Sequence, residues 1–331
     1  MNFKMWLKAI RIIPRLSREE WDKLDLISRW LVAVRAAVLV MTLLSAALGG
    51  IMAALDHKFN WLPFSACCFG LLFAHAANNL LNDLVDYIKG VDKDNYYRTQ
   101  YGPQPLESGF LSLRKYLLYI LVTGLLALSS GIFLVIYAGP GTLFLLLPGA
   151  FFLLFYTWPL KYLGLGEFAV LAVWGPLMIG GTYFVTAGSW SWPAVLAGLP
   201  YALGVTTVLF GKHIDKLEAD KIKGINTLPV LLGESAARKT VIIMTALQYL
   251  IVVSLVIARV LHPVLLLTLF ALKNFYLLLK VFRAELPAEP PEGYRPEIWP
   301  LWFVAFTFDH NRKFGGLFLL GLILQLFISK T

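Results

Sequence analysis

Charge is scarce in this chain of 331 residues: 15% are charged, against 58% hydrophobic. Cysteine is almost lacking, with only Cys67 and Cys68, adjacent to each other in an apolar run. Neighbouring cysteines rarely bridge, and no metal-type spacing exists. A disulfide scaffold and a cysteine metal site are therefore excluded, and both residues read as small packing groups. Low-complexity tracts are missing, and the proline-rich stretch 286–300 reads as a loop rather than a domain linker. The N-terminus carries positive charge but no apolar core before residue 30, so it does not read as a signal peptide.

What the chain has is long apolar runs. Its mean hydropathy is +0.70, and runs of about 20 residues, the length a helix needs to cross the hydrocarbon layer, recur. The pattern predicts an all-α integral membrane protein of about nine transmembrane helices. They are placed near 31–55, 62–82, 115–137, 141–157, 168–187, 193–211, 240–259, 261–281 and 314–329. The fourth and last are short, and residues 299–308 form an extra apolar stretch too short to span. Residues 1–29 are set apart as an N-terminal amphipathic, basic segment, with 30–331 as one transmembrane domain. In that segment Phe3, Trp6, Leu7, Ile10, Ile13 and Leu16 alternate with Lys4, Lys8, Arg11 and Arg15, as in an interfacial helix. A solvated basic arm is the alternative.

Basic residues set the orientation. Lys89, Lys93, Arg98, Arg114 and Lys115 follow the second span, and Lys161 follows the fourth. Lys212, Lys216, Lys221, Lys223, Arg238 and Lys239 follow the sixth. The opposite loops carry little beyond Lys58 and Arg259. These loops and the N-terminus are expected on the cytoplasmic side of the inner membrane. The net charge of +9 is explained by this bias and by anionic lipid, so no nucleic-acid partner is implied.

Two acidic segments stand out at helix ends on that face, residues 82–92 and 215–226. A carboxylate near the bilayer core is costly, roughly 2.5–3.5 kcal/mol at the centre of a helix and less near its end. Clustering several of them twice calls for a divalent cation and, behind it, a diphosphate. On a helix, Asn78, Asn82 and Asp86 form one stripe, with Asp83 and Asn79 beside it. That oxygen-only set suits Mg²⁺, and Gly90 would end the helix so that Asp92 folds back to the same site. A solvated helix end with Asn caps is the bland alternative. The second segment offers Asp220 and Glu218 and, third, Asp215. On a straight helix Asp220 points away from the other two, alongside Lys216 and His213, and Asp215 is as well explained by pairing with Lys212 or Lys216. The residues 86–92 and 220–226 resemble each other in sequence, as the two halves of an internal repeat would. Lys89, Lys93, Arg98, Lys221 and Lys223 suit diphosphate oxygens, though each also fits the positive-inside bias. Tyr156, Trp158 and Tyr162 border the same face, as cavity lining or as an interfacial aromatic belt.

These motifs resemble the UbiA-type intramembrane prenyltransferases. The resemblance rests on Asn82-Asp83-x-x-Asp86 with Gly90 and Asp92. It is strengthened by Gly102-Pro103-Gln104-Pro105-Leu106, by Pro159-Leu160-Lys161-Tyr162-x-Gly164-Leu165-Gly166-Glu167, and by Glu218-x-Asp220-x-x-x-Gly224-x-x-Thr227-Leu228-Pro229. The pattern is most similar to the dihydroxynaphthoate polyprenyltransferase (menaquinone) branch. Two departures stand out: Lys216 where the family usually has Asp, and Gly211-Lys212-His213 where that branch usually has Asn-Asn.

The resemblance implies a helical bundle around a central cavity open toward lipid. It also implies two Mg²⁺ gripping a polyprenyl diphosphate and an aromatic acceptor attacking the allylic carbon. The metal ligands implied are Asn82, Asp83, Asp86, Asp92, Asp215, Glu218 and Asp220, with Asp86, Tyr156 and Asp220 catalytic. Asn78, Lys89, Arg98, Lys161, His213 and Lys221 would bind substrate. A terpene cyclase of the same fold, or a cation-coupled transporter or lipid-binding protein, are the competing readings.

Overall fold

The computed structural model describes residues 2–93, 102–295 and 298–328. Among these residues the chain is helical, with no strand. Among the described residues eight helices are long and apolar enough to cross a membrane, and a shorter apolar one at Pro140–Phe155 makes the ninth member of the set. The protein is an all-helical integral membrane protein.

Three short helices open the chain: α1 (Phe3–Arg11), α2 (Arg18–Asp22) and α3 (Leu26–Ala33). A single interfacial helix over 3–29 was the expectation; capping chemistry divides it. Ser17 and Glu20 form a capping box at the start of α2, and Asp25 caps α3 through the Ser28 amide. Trp21 is fully buried and stacks on Phe110 at 5.2 Å. Phe3, Leu7 and Ile10 stay exposed on one face of α1, as an interfacial helix requires.

Helix α4 (Val40–Leu55) leads to α5 (Trp61–Ile88), which is capped by Asn60. With 28 residues, α5 is about 42 Å long, so it outruns a hydrocarbon layer of about 30 Å by some two turns. Those turns carry Asp83 and Asp86, and this length is what lifts the acids toward the interface. Helices α6 (Leu113–Ala138) and α7 (Leu143–Phe155) follow. The fifth span runs as α8 (Gly166–Ala172), a wider π-type stretch at Val173–Gly180 around Pro176, and α9 (Gly181–Ala187). Helix α10 (Trp192–Asp215) breaks at Lys216 into α11 (Leu217–Ile222), and α12 (Leu228–Leu232) follows. Helix α13 (Glu234–Ile257), a 3-10 stretch at Pro263–Ala271, α14 (Leu272–Arg283) and α15 (Phe303–Ile328) complete the chain.

The last helix corrects the sequence reading. Residues 303–308 are its first turns rather than a separate interfacial piece, and α15 is a full span of 26 residues. The run from Asp309 to Lys313 hid this by lowering local hydropathy. His310 and Asn311 turn inward and are buried, while Asp309, Arg312 and Lys313 are exposed.

The core lies where α4, the π-type stretch, α10, α13 and α15 meet, around Tyr183, Tyr201, Phe314 and Phe318. Small residues allow the approach: a Cβ on Gly49 would lie 2.4 Å from the Ile179 carbonyl oxygen, and one on Gly198 would lie 2.8 Å from the Ile179 side chain.

Candidate active site

A cavity of about 1570 Å³ runs through the bundle, lined mostly by apolar side chains of α5, α6, α7, the π-type stretch and α10. Polar groups gather at one end, where Arg35, Asn78, Asn79, Asn82, Tyr156 and Lys212 line it. Leu121, Leu125, Leu128, Leu147 and Leu154 both line the cavity and are exposed on the outside of the molecule. The cavity therefore opens sideways between α6 and α7, where lipid would be.

At the polar end the two acidic segments meet. Each finishes a helix with the same backbone geometry. Gly90 (φ +66°) and Gly224 (φ +67°) take left-handed conformations. The amides of Val91 and Ile225 donate to the carbonyls of Asp86 and Asp220, each at 2.9 Å. This glycine-terminated cap places Asp86 and Asp220 at equivalent positions of the two copies. The sequence similarity thus extends to local structure. Lys223 donates to the carbonyls of Val91 and Lys93, joining one copy to the other.

Within this arrangement the carboxylates are already matched with cations. Lys161 Nζ lies 2.9 and 3.1 Å from the two Asp86 oxygens. Arg35 lies 3.1 Å from Asp83 and also donates to the Asn79 carbonyl at 3.1 Å. Lys216 lies 2.9 Å from Asp220 Oδ1. Asp220 Oδ2 is buried and has no hydrogen-bond partner. Asn82 accepts from Thr157 at 3.2 Å, and Asn78 donates to the Leu153 carbonyl at 3.0 Å. Asp92 is buried.

Tyr162 marks the convergence point. Lys89 and Lys161 sit over its ring at 5.2 and 5.9 Å, and Lys89 also sits over Trp158 at 5.1 Å. Burial pushes the Tyr162 phenol up to about 12, helped by the negative charges of Asp86, Asp220 and Asp92 and opposed by Lys216. One hydroxyl thus feels carboxylates from both segments.

Several expected residues stand elsewhere. Asp215 accepts backbone amides of Trp302, Phe303 and Val304 at 3.1, 2.7 and 3.0 Å. It caps α15, so both of its oxygens are turned away from a metal. It is not the partner of Lys216, which folds forward onto Asp220. Glu218 and Lys221 are exposed on α11, because the break at Lys216 rotates that short helix and turns Asp220 inward. His213 is buried, and its Nδ1 bonds Glu167 Oε1 at 2.6 Å; it does not line the cavity. Arg98 lies outside the described residues.

Arg35, Thr157, Glu167 and Lys216 are the partners that sequence reasoning did not assign. Arg35 had a signal, as a lone cation inside an apolar run. Thr157 and Glu167 act through contacts between segments far apart in sequence, whereas Lys216 pairs with Asp220 one helical turn away.

The donor set is oxygen-only and fits a hard divalent cation completed by diphosphate oxygens. The orphaned Asp220 Oδ2 is one such donor. Among the described residues, however, no three carboxylate, histidine or cysteine groups converge on one point.

The bundle is similar to solved structures. A UbiA homolog from Aeropyrum pernix K1 is 20% identical, with a TM-score of 0.63, over 87% of this chain and 98% of that one. A UbiA homolog from Archaeoglobus fulgidus bound to GPP and Mg²⁺ is 15% identical, with a TM-score of 0.59, over 88% and 99%. In sequence, the UbiA prenyltransferase domain-containing protein 1 of Danio rerio is 29% identical over 66% of this chain and 66% of its own length. The 1,4-dihydroxy-2-naphthoate octaprenyltransferase of Bacillus subtilis is 24% identical over 88% of this chain and 91% of its own length. The chain thus spans about two thirds of the first of these relatives and nearly all of the second. The family profile itself matches residues 43–294, most of the bundle and both acidic segments, and the chain belongs to the UbiA prenyltransferase family.

Proposed function

We propose that this protein transfers an isoprenyl group from a polyprenyl diphosphate to a hydroxylated aromatic acceptor inside the membrane, with Mg²⁺, as in quinone or menaquinone-type biosynthesis. The observation that carries this is the meeting of the two acidic segments at the polar end of an apolar, laterally open cavity. A prenyl chain fits the apolar part and a diphosphate the polar end. The single transmembrane domain over 30–331 would do the chemistry. Residues 1–29 and the acidic segments would face the cytoplasm across the inner membrane, as the basic loops require.

Asn82, Asp83, Asp86 and Asp220 would hold Mg²⁺, with Asp92 close behind. When bound, the ion neutralises the diphosphate and favours its departure from the allylic carbon. Lys161 and Lys89 stand ready to bind diphosphate oxygens from the side of the aromatic ring of Tyr162. Lys221, exposed on α11, would add charge at the entrance, and Arg98 is proposed from sequence alone to bind diphosphate. Tyr156 lines the cavity beside Asn78 and Asn82, so its ring face would border the allylic cation and stabilise it. Apolar lining excludes water that would otherwise quench that cation. Glu167 fixes the ring of His213 through Nδ1, which makes His213 a positioning group behind the acceptor rather than a direct contact.

The test is release of pyrophosphate from purified protein given geranylgeranyl diphosphate and Mg²⁺, with and without dihydroxynaphthoate. Release only with the acceptor, abolished by a chelator, is expected. Release without acceptor would instead identify a cyclase of the same fold. Absence of release together with a metal-driven substrate flux across vesicles would point to a transporter.

A further inference from the structure

We infer that Lys216 serves as a built-in second cation, so that the site takes one divalent ion per diphosphate rather than two. The inference rests on the reading above and specifies how its diphosphate is held.

The second acidic segment has few donors left to offer. Asp215 is committed to three backbone amides of the α15 cap. Glu218 is exposed. Only Asp220 remains buried and turned toward the site. Its Oδ1 already carries the Lys216 ammonium at 2.9 Å, and both side chains are almost fully buried, at 6% and 1% exposure. A second divalent ion needs several oxygen donors, and this segment has one carboxylate oxygen to give, Asp220 Oδ2.

The position of Lys216 is built by the fold. It occupies the break between α10 and α11, with φ −121° and ψ 24°, and its carbonyl accepts the amide of Asp220 at 2.9 Å. That turn puts the side chains of residues 216 and 220 on one face. The Lys216 charge is also felt at the Tyr162 hydroxyl, together with Asp86, Asp220 and Asp92. The ammonium is therefore part of the cluster where the segments converge. An ammonium has three donors and no acceptor. It repels a neighbouring metal ion, and it binds phosphate oxygens as a point charge. On substrate binding, Lys216 would keep Asp220 as its anchor and set its positive charge against the diphosphate. Asp220 Oδ2 would join the oxygens of the first segment on the single ion.

The inference is tested by counting bound Mn²⁺, used in place of Mg²⁺, from the loss of its free paramagnetic signal. The purified protein is titrated with and without geranylgeranyl S-thiolodiphosphate, a donor that does not ionise readily. One Mn²⁺ per chain with the analogue is expected for the native protein, and two for Lys216→Asp. Lys216→Met covers the case in which the aspartate variant fails to fold: it should bind the analogue roughly tenfold or more weakly, the loss of one charge-assisted contact, with the count still one. Two Mn²⁺ in the native protein, or unchanged analogue affinity in Lys216→Met, would overturn the inference and leave the transferase reading standing. No Mn²⁺-dependent binding of the analogue by the native protein would overturn both.

Discussion

Two aspartates at the ends of different helices, Asp86 and Asp215, show why an acidic residue near a membrane interface has to be judged by its partners. Asp86 bonds a lysine side chain that could exchange it for another anion; Asp215 bonds three backbone amides that have no such alternative. Their substitutions should separate accordingly. Asp86→Asn, which keeps an oxygen for Lys161, should abolish turnover and leave the protein folded in detergent. Asp215→Ala should lower stability by about 1–3 kcal/mol, the cost of unpaired buried amides, read as a lower unfolding midpoint, with residual activity at low temperature. A third aspartate reports on the N-terminal segment. The Ser28 amide, aided by the Asn2 amide and the Trp6 indole, holds the half-buried Asp25 carboxyl down at about 2. A group whose folded value lies below its unfolded one contributes above the unfolded value and stops contributing as the pH falls through the folded one. Docking of α1 should therefore hold at pH 5 and weaken between about pH 4 and pH 2. The check is the emission of Trp6, taken as the difference from a Trp6→Phe protein.

At the scale of elements, the helices were legible wherever apolar runs were unbroken. The third, fifth and sixth spans were placed within four residues of α6, the Gly166–Ala187 span and α10, whereas the second began within one residue of α5 but stopped six short, before the polar turns that carry Asp83 and Asp86. Legibility failed where polar residues serve the interior. Asp309 to Lys313 made α15 read as short, although His310 and Asn311 are buried inside the bundle. It failed again at α1 to α3, where caps rather than hydropathy set the boundaries. At the site, the oxygen-rich face of α5 could be read from helical spacing alone. Lys161 and Arg35 could not be assigned to Asp86 and Asp83, because those pairings are fixed by how helices pack, whereas the four-residue spacing already set Lys216 beside Asp220. Packing also makes a prediction at this scale. Gly49 faces the Ile179 carbonyl across the α4 contact with the π-type stretch, and backbone cannot yield as a side chain can. Gly49→Val should destabilise by about 1–3 kcal/mol, seen as a lower unfolding midpoint, whereas Gly124→Ala, with open space around it, should leave the midpoint in place.

For the whole molecule, two similar helix ends from distant parts of the chain close one end of a cavity, and the Lys223 contact with residues 91 and 93 joins them. The other end of the chemistry is the side opening between α6 and α7, bordered by Leu121, Leu125, Leu128, Leu147 and Leu154. A protein that receives its long-chain substrate through such a gap samples a two-dimensional solvent. Its saturation should follow the mole fraction of prenyl diphosphate in the bilayer, not the amount per volume of suspension. In vesicles, adding inert phospholipid at constant protein and constant total donor should slow turnover by dilution within the surface, while adding buffer should not.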